Sequence, residues 1–300
     1  MDQLAQQLVN GLAWGSIYAL IALGYTMVYG VLRLINFAHG DVYMIGAMSA
    51  FYFAHWLGLA DAPSLFGFVV VMGLAMLTCA LLGALIERAA YRPLRRQPRW
   101  AMLTTAIGVS MLLEYGGQAL FGPDPKFFPQ LIASAPALRL GGAVVTNIDL
   151  LIFGVSLALM LGLRWLVYGT RVGMALRAVS VNVDAASLMG INVNTIIAMT
   201  FMIGSALAAA AGAMVGLRNP KIEPLMGLMP GIKAFVAAVL GGIGNFPGAV
   251  AGGLLMGVTE TLVAAYISST YRDAVAFVIL IAVLLVRPAG LFGTVTVEKV

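Results

Sequence analysis

Residues 12–31 read LAWGSIYALIALGYTMVYGV, twenty consecutive positions without a charge. A hydrocarbon core about 30 Å thick needs roughly 20 apolar residues at the 1.5 Å rise of an α-helix. The stretch has that length and no basic segment before it, so it reads as a retained first transmembrane helix, not a cleaved signal. Similar apolar runs follow at about 41–58, 66–86, 100–121, 148–168, 194–217, 231–244, 248–267 and 272–287. With the first, which extends over about 8–31, they predict an all-α integral membrane bundle of eight or nine transmembrane helices. The seventh run, 231–244, is short and abuts Gly241, Gly242 and Gly244, so a re-entrant segment and a full crossing are both open.

The composition agrees. Of 300 residues, 61% are hydrophobic and 10% charged, against about 25% charged in a soluble domain. Twelve acidic and 17 basic residues cannot coat a water-facing surface of this size. The net charge of +5 does not point to nucleic acid, because the arginines gather between apolar runs. One segment holds Arg88, Arg92, Arg95, Arg96 and Arg99, and another Arg164, Arg171 and Arg177. The bias of basic loops towards the cytoplasm places both inside. The loop from Phe121 to Asn147, with Pro123, Pro125, Pro129 and Pro136, and the N-terminus then lie outside. No polar stretch is long enough for a separate domain, so residues 1–300 are expected to form one membrane domain. The single cysteine, Cys79, sits in an apolar run and excludes an intramolecular disulfide.

Residues 169–193, GTRVGMALRAVSVNVDAASLMGINV, are on the cytoplasmic side yet unlike a loop in composition. Val181, Ala185, Leu188 and Met189 recur at helical spacing, with Asn182, Asp184 and Ser187 off the stripe. Asn182 suits an N-cap, Asp184 the first turn and Gly190 the C-terminal stop. A surface-lying helix on lipid headgroups normally carries Lys or Arg on its polar face. This one carries Asn, Asp and Ser, which favours a protein groove.

That segment, together with INFAHGDVYMIGA at 35–47, IERAAYRPLR at 86–95, GIKAFVAAVLGGIGNFPGAVAGGLLMG at 231–257 and the tail ending Val297, Glu298, Lys299, Val300, resembles the branched-chain amino-acid ABC transporter permeases of the LivH type. The resemblance covers nearly the whole chain in order. It implies an ABC importer permease fold in the inner membrane, a second permease of the LivM type, two cytoplasmic ATPase subunits, and an extracytoplasmic binding protein delivering leucine, isoleucine or valine. It also implies that the coupling loop comprises Arg171, Gly173, Arg177, Asn182, Asp184, Ala185, Ala186, Leu188 and Gly190. The chain has no means of hydrolysing ATP through a phosphate-binding loop, since Lys126, Lys221, Lys233 and Lys299 are not followed by Ser or Thr.

Polar groups inside apolar runs are costly in lipid and are therefore candidates for a pathway or for interhelical bonding. They are Asn36, His39, Asp41, Glu114, Lys233, Asn245 and Glu260. Glu114 shares a helical face with Ser110 and Gln118. Lys233 lies near the outer end of its run, where its stem could carry the charge to the surface. Glu260 is deeper and calls for a partner on a neighbouring helix or on the second permease. The bend at Asn36, His39, Gly40 and Asp41 reads as polar groups serving a broken helix. No cofactor or metal is expected, because the other histidine, His55, is too far along the chain to join His39. The small residues Gly204, Ala208 and Gly212, and the pairs Gly248/Gly252 and Gly253/Gly257, read as close helix packing, not a dinucleotide loop. Other solutes (urea, short amides, a sugar) remain alternative cargoes. A proton-driven carrier relaying through Glu114 or Glu260 is a rival of another class, and a membrane enzyme has no supporting cluster of nucleophile, base and metal ligands.

Overall fold

A computed structural model describes residues 2–95, 97–140 and 142–293. Arg96 and the tail at 297–300 lie outside them. Each of the nine apolar runs forms a helix: α1 Asp2–Leu32, α2 His39–Trp56, α3 Leu65–Ile86, α4 Arg99–Phe121, α5 Asn147–Gly169, α8 Val193–Arg218, α9 Leu228–Gly241, α10 Phe246–Tyr266 and α11 Arg272–Val286. Two further helices, α6 Arg171–Val181 and α7 Val183–Leu188, fill the cytoplasmic segment. A π-helical turn, Glu87–Tyr91, and a 3-10 turn, Arg92–Leu94, extend α3. With no water in the hydrocarbon core to satisfy backbone groups, an apolar run of this kind has no alternative to the helix.

Helix α1 is the axle of the bundle. Its apolar window is 83% buried by protein, whereas that of α11 is 6% buried, leaving Val278, Ile281 and Leu285 exposed. Helix α10 runs antiparallel to α1 with backbones nearly touching. Gly11 packs on Val258, Gly15 on Leu254 and Gly257, and Gly253 on Ala19. The opposite small face of α10 receives α9, through Gly248 on Gly241 and Gly252 on Ala237. Gly204 of α8 meets Gly24 of α1, and Gly212 meets Tyr43 and Ala47 of α2. Small residues at these positions let dispersion forces act at short range, the main source of helix association in lipid.

The contacts sort the loops between two ends. At one end Arg95 donates to Asn194 at the start of α8, so the two arginine-rich segments share a face. At the other, Arg218 of α8 pairs with Asp149 and donates to Asn10 near the start of α1 at 3.1 Å. There Gln6 accepts from the Val144 amide, and the 121–147 segment caps the bundle through strands β1 Lys126–Phe127, β2 Pro136–Leu140, β3 Ala143–Thr146 and β4 Lys221–Ile222. β1 pairs with β4 and β2 with β3, both antiparallel. By the basic-loop bias the arginine end is cytoplasmic.

The seventh run crosses. The chain enters α9 from the outer strand β4 and leaves it at Gly241, beside Gly248 at the inner end of α10. Helix α10 returns outward, and α11 comes back so that Leu291 and Phe292 bond to Leu240 and Gly241. Residue 293 is therefore at the inner end. Six helices are long and apolar enough to cross a membrane unaided among the described residues. Helix α9, with 14 residues, is about 21 Å long, so it starts below the outer surface. Its start meets that of α2, because Gly227 and Gly231 pack directly on Gly40. The chain from Arg33 to Ala38 climbs back from the inner end of α1 to bring His39 against Gly24. Two helices thus begin mid-depth, one heading outward and one inward.

Candidate functional site

The inner-face segment folds as a rigid bracket. Thr170 accepts from the Gly173 amide at 3.1 Å, Asn182 from the Ala185 amide at 2.9 Å and Asn192 from the Thr195 amide at 3.2 Å. Three successive N-caps, each worth about 1 kcal/mol, fix the starts of α6, α7 and α8. The 11-residue α6 was not foreseen as a separate element; its buried Gly173, Leu176 and Val179 recur every three residues. Gly190 ends α7 at φ +83°, a left-handed geometry that glycine adopts without strain. Val181, Leu188 and Met189 are 85, 89 and 83% exposed, so the apolar stripe points away from the bundle. Ala185, Asn182, Asp184, Arg171 and Gly190 are also exposed. Gly173 and Ala186 are buried and build the bracket without forming part of its outer face. Arg177 lies over the Tyr168 ring at 5.3 Å.

The intramembrane polar residues divide into separate groups. Asp41, 2% exposed, accepts from Ser110 Oγ of α4 at 2.5 Å. Both border a cavity of about 430 Å³ at the meeting point of α2 and α9, together with Glu114. Gln118, on the same face of α4 in the sequence, does not reach it. Asn36 accepts from the Tyr91 hydroxyl at 2.9 Å, and His39 is buried beside Tyr25, 4.6 Å between ring centroids. Those two hold the bend and are not in the cavity wall.

A second group lies towards the outer end. Glu260 of α10, 1% exposed, accepts from Lys233 of α9 at 2.9 Å and pairs with Arg272 of α11, while Asp273 meets Lys233 at 2.6 Å. Trp14 of α1 covers the Arg272 guanidinium at 5.5 Å. Glu260 therefore has its partner on a neighbouring helix. The expectation that Lys233 snorkels to the surface is corrected, since it is 6% exposed and paired. The run-end argument assumes a helix that begins at the surface, and α9 begins deeper. Asn245 is likewise a structural cap: its side chain accepts from the Gly248 amide and donates to the Phe292 carbonyl.

Sequence reasoning missed Glu87. It is fully buried at the inner end and paired with Arg92 and Arg95. The clue was a carboxylate five and eight positions before arginines, but ordinary helical spacing does not join them; the π-helical turn does. Among the described residues no group of three or more potential ligands could hold a metal.

A bundle of this build has apolar flanks suited to lipid, a cavity bordered by broken helices and open at one side, and a stiff element projecting from one face. That describes a multi-pass permease, a protein that moves solutes and leaves them chemically unchanged. The chain belongs to the family described as "Branched-chain amino acid transport system / permease component", which matches residues 7–284. It is 44% identical to the high-affinity branched-chain amino acid transport system permease protein BraD of Pseudomonas aeruginosa, over 98% of this chain and 97% of that one. It is 43% identical to the corresponding protein LivH of Escherichia coli, with the same coverage. A more distant match, 36% identical over 38% of each chain, is the ribose import permease protein RbsC of Haemophilus influenzae.

Proposed function

We propose that this chain is the inner-membrane permease subunit of an ATP-driven importer for leucine, isoleucine and valine, contributing one half of the translocation pathway. The single observation that carries the reading is identity above 40% along nearly the whole length to permeases named for that cargo. Sugar transport is less well supported, because the ribose permease matches only 38% of the chain. A proton relay through Glu260 is disfavoured by its bonds to two cations.

Hydrolysis is assigned to separate ATPase subunits, because no lysine here is followed by Ser or Thr as a P-loop requires. The residues around Arg171 to Gly190 seat on one of them. Support comes from the bracket itself: exposed apolar side chains on a capped, rigid element at the arginine-rich end transmit a push, whereas a flexible loop absorbs it. The remaining partners are a second permease of the LivM type and a binding protein that docks at the outer end. Extraction in a mild detergent followed by identification of co-purifying subunits tests this assembly. Recovery of the chain without an ATPase, or with uptake that survives removal of the ATPase but collapses with the proton gradient, would overturn it.

A further inference from the structure

The cavity at the meeting of α2 and α9 has features that the proposed function leaves unused. It is polar at one place and apolar elsewhere. The polar place is Asp41, Ser110 and Glu114. Asp41 is 2% exposed, its side chain is bonded only to Ser110, and no cationic side chain among the described residues lies within ion-pair distance of it or of Glu114. This contrasts with Glu87, Asp149 and Glu260, each of which is buried with one or two cations beside it. A buried carboxylate without a counter-charge is expensive to keep.

The start of α9 borders the same cavity through Gly227 and Leu228, and no side chain caps it. Leu228 and Met229 therefore have no intrahelical acceptor for their amides, and the positive end of the helix dipole lies beside them. The remaining wall includes Phe37, Ile107, Phe235 and Phe277. Negative side chains, a positive helix end and an apolar wall converge on one cavity of about 430 Å³, within the usual range for small-molecule sites.

We propose that this cavity is a transit site for a zwitterionic amino acid with an aliphatic side chain. Its ammonium sits at Asp41 and Glu114, its carboxylate at the uncapped start of α9, and its side chain against Phe235 and Phe277. The assignment rests on the amino-acid cargo proposed above and adds the groups that recognise it inside the membrane.

The test uses the co-purified complex without binding protein, so that discrimination outside the membrane plays no part. Met111, in the cavity wall, is replaced by Cys as an alkylation reporter, and Cys79 is buried and gives little background. Leucine is expected to slow alkylation of M111C, whereas 4-methylpentanoate, which lacks the ammonium, is not. Asp41→Asn is expected to weaken protection at least about tenfold, as the loss of a charged hydrogen bond does, and Glu114→Gln to weaken it less. Should Asp41→Asn fail to assemble, Glu114→Gln and the two-ligand comparison on M111C alone still decide. Equal protection by leucine and its deaminated analogue would overturn the site. So would leucine uptake by an assembled Asp41→Asn complex, measured with binding protein restored, at the rate of the unsubstituted one. If the unsubstituted complex takes up no leucine even with its binding protein restored, the cargo assignment is what has failed.

Discussion

Placing Asp at position 188 tests the bracket most directly. Leu188 is 89% exposed, so in the isolated permease Leu188→Asp should change stability by no more than about 0.5 kcal/mol. If an ATPase groove covers the position, two costs appear together. Burial of the leucine, about 1.5–3 kcal/mol, is lost, and an unpaired carboxylate must be desolvated, at about 1–3 kcal/mol or more. A combined loss near 3 kcal/mol weakens association about a hundredfold. In proteoliposomes, membrane insertion and thermal stability should be normal, while ATPase recovery in pull-downs and uptake per ATP hydrolysed fall together. Ala185→Asp should act in the same direction. Uptake at the unsubstituted rate, with the ATPase retained at full stoichiometry, would refute the docking assignment.

Removing the cap by Asn182→Ala should loosen the start of α7 by about 1 kcal/mol and lower coupling partially, as read from uptake per ATP in the same proteoliposomes. Gly40→Val should prevent assembly of the core, because a Cβ there lies 2.5 Å from the Gly227 carbonyl oxygen and 2.9 Å from Gly231 Cα. Gly154→Ala, with open space around it, should be tolerated, and fluorescence-detected size-exclusion chromatography separates the two outcomes. Glu260→Leu leaves Lys233 only its second carboxylate, Asp273, whose side chain is 52% exposed. It should cost about 3–5 kcal/mol, the usual penalty for breaking a buried pair, seen as a lower melting temperature in detergent.

How much could be read beforehand follows from the range of the interactions. The nine apolar runs were legible as helices because lipid forces each run to settle its own backbone, a local constraint, but whether the seventh crosses was not. The bracket was half legible: Asn182 and Gly190 are local signals, and both act as expected. What the chain does not state locally is depth. Lys233 looks like a surface anchor when α9 is assumed to start at the headgroups, and its pairing with Glu260 emerges only once Gly227 is seen against Gly40. The same holds for Asp41 and Ser110, 69 positions apart, and for Glu87, whose arginines come within reach only through a π-helical turn. The role of Asn245 was hidden for the opposite reason: an N-cap two positions before Pro247 is a local signal that its place in a glycine-rich break obscured.

The four charges at Lys233, Glu260, Arg272 and Asp273 sum to zero. Moving one elementary charge through a membrane at 100 mV involves about 2.3 kcal/mol of electrical work, but a neutral group moving as a unit involves almost none. Any rearrangement that carries α9, α10 and α11 together is therefore nearly insensitive to membrane voltage, and at equal ATP supply polarised and depolarised membranes should cycle this part of the protein at similar rates.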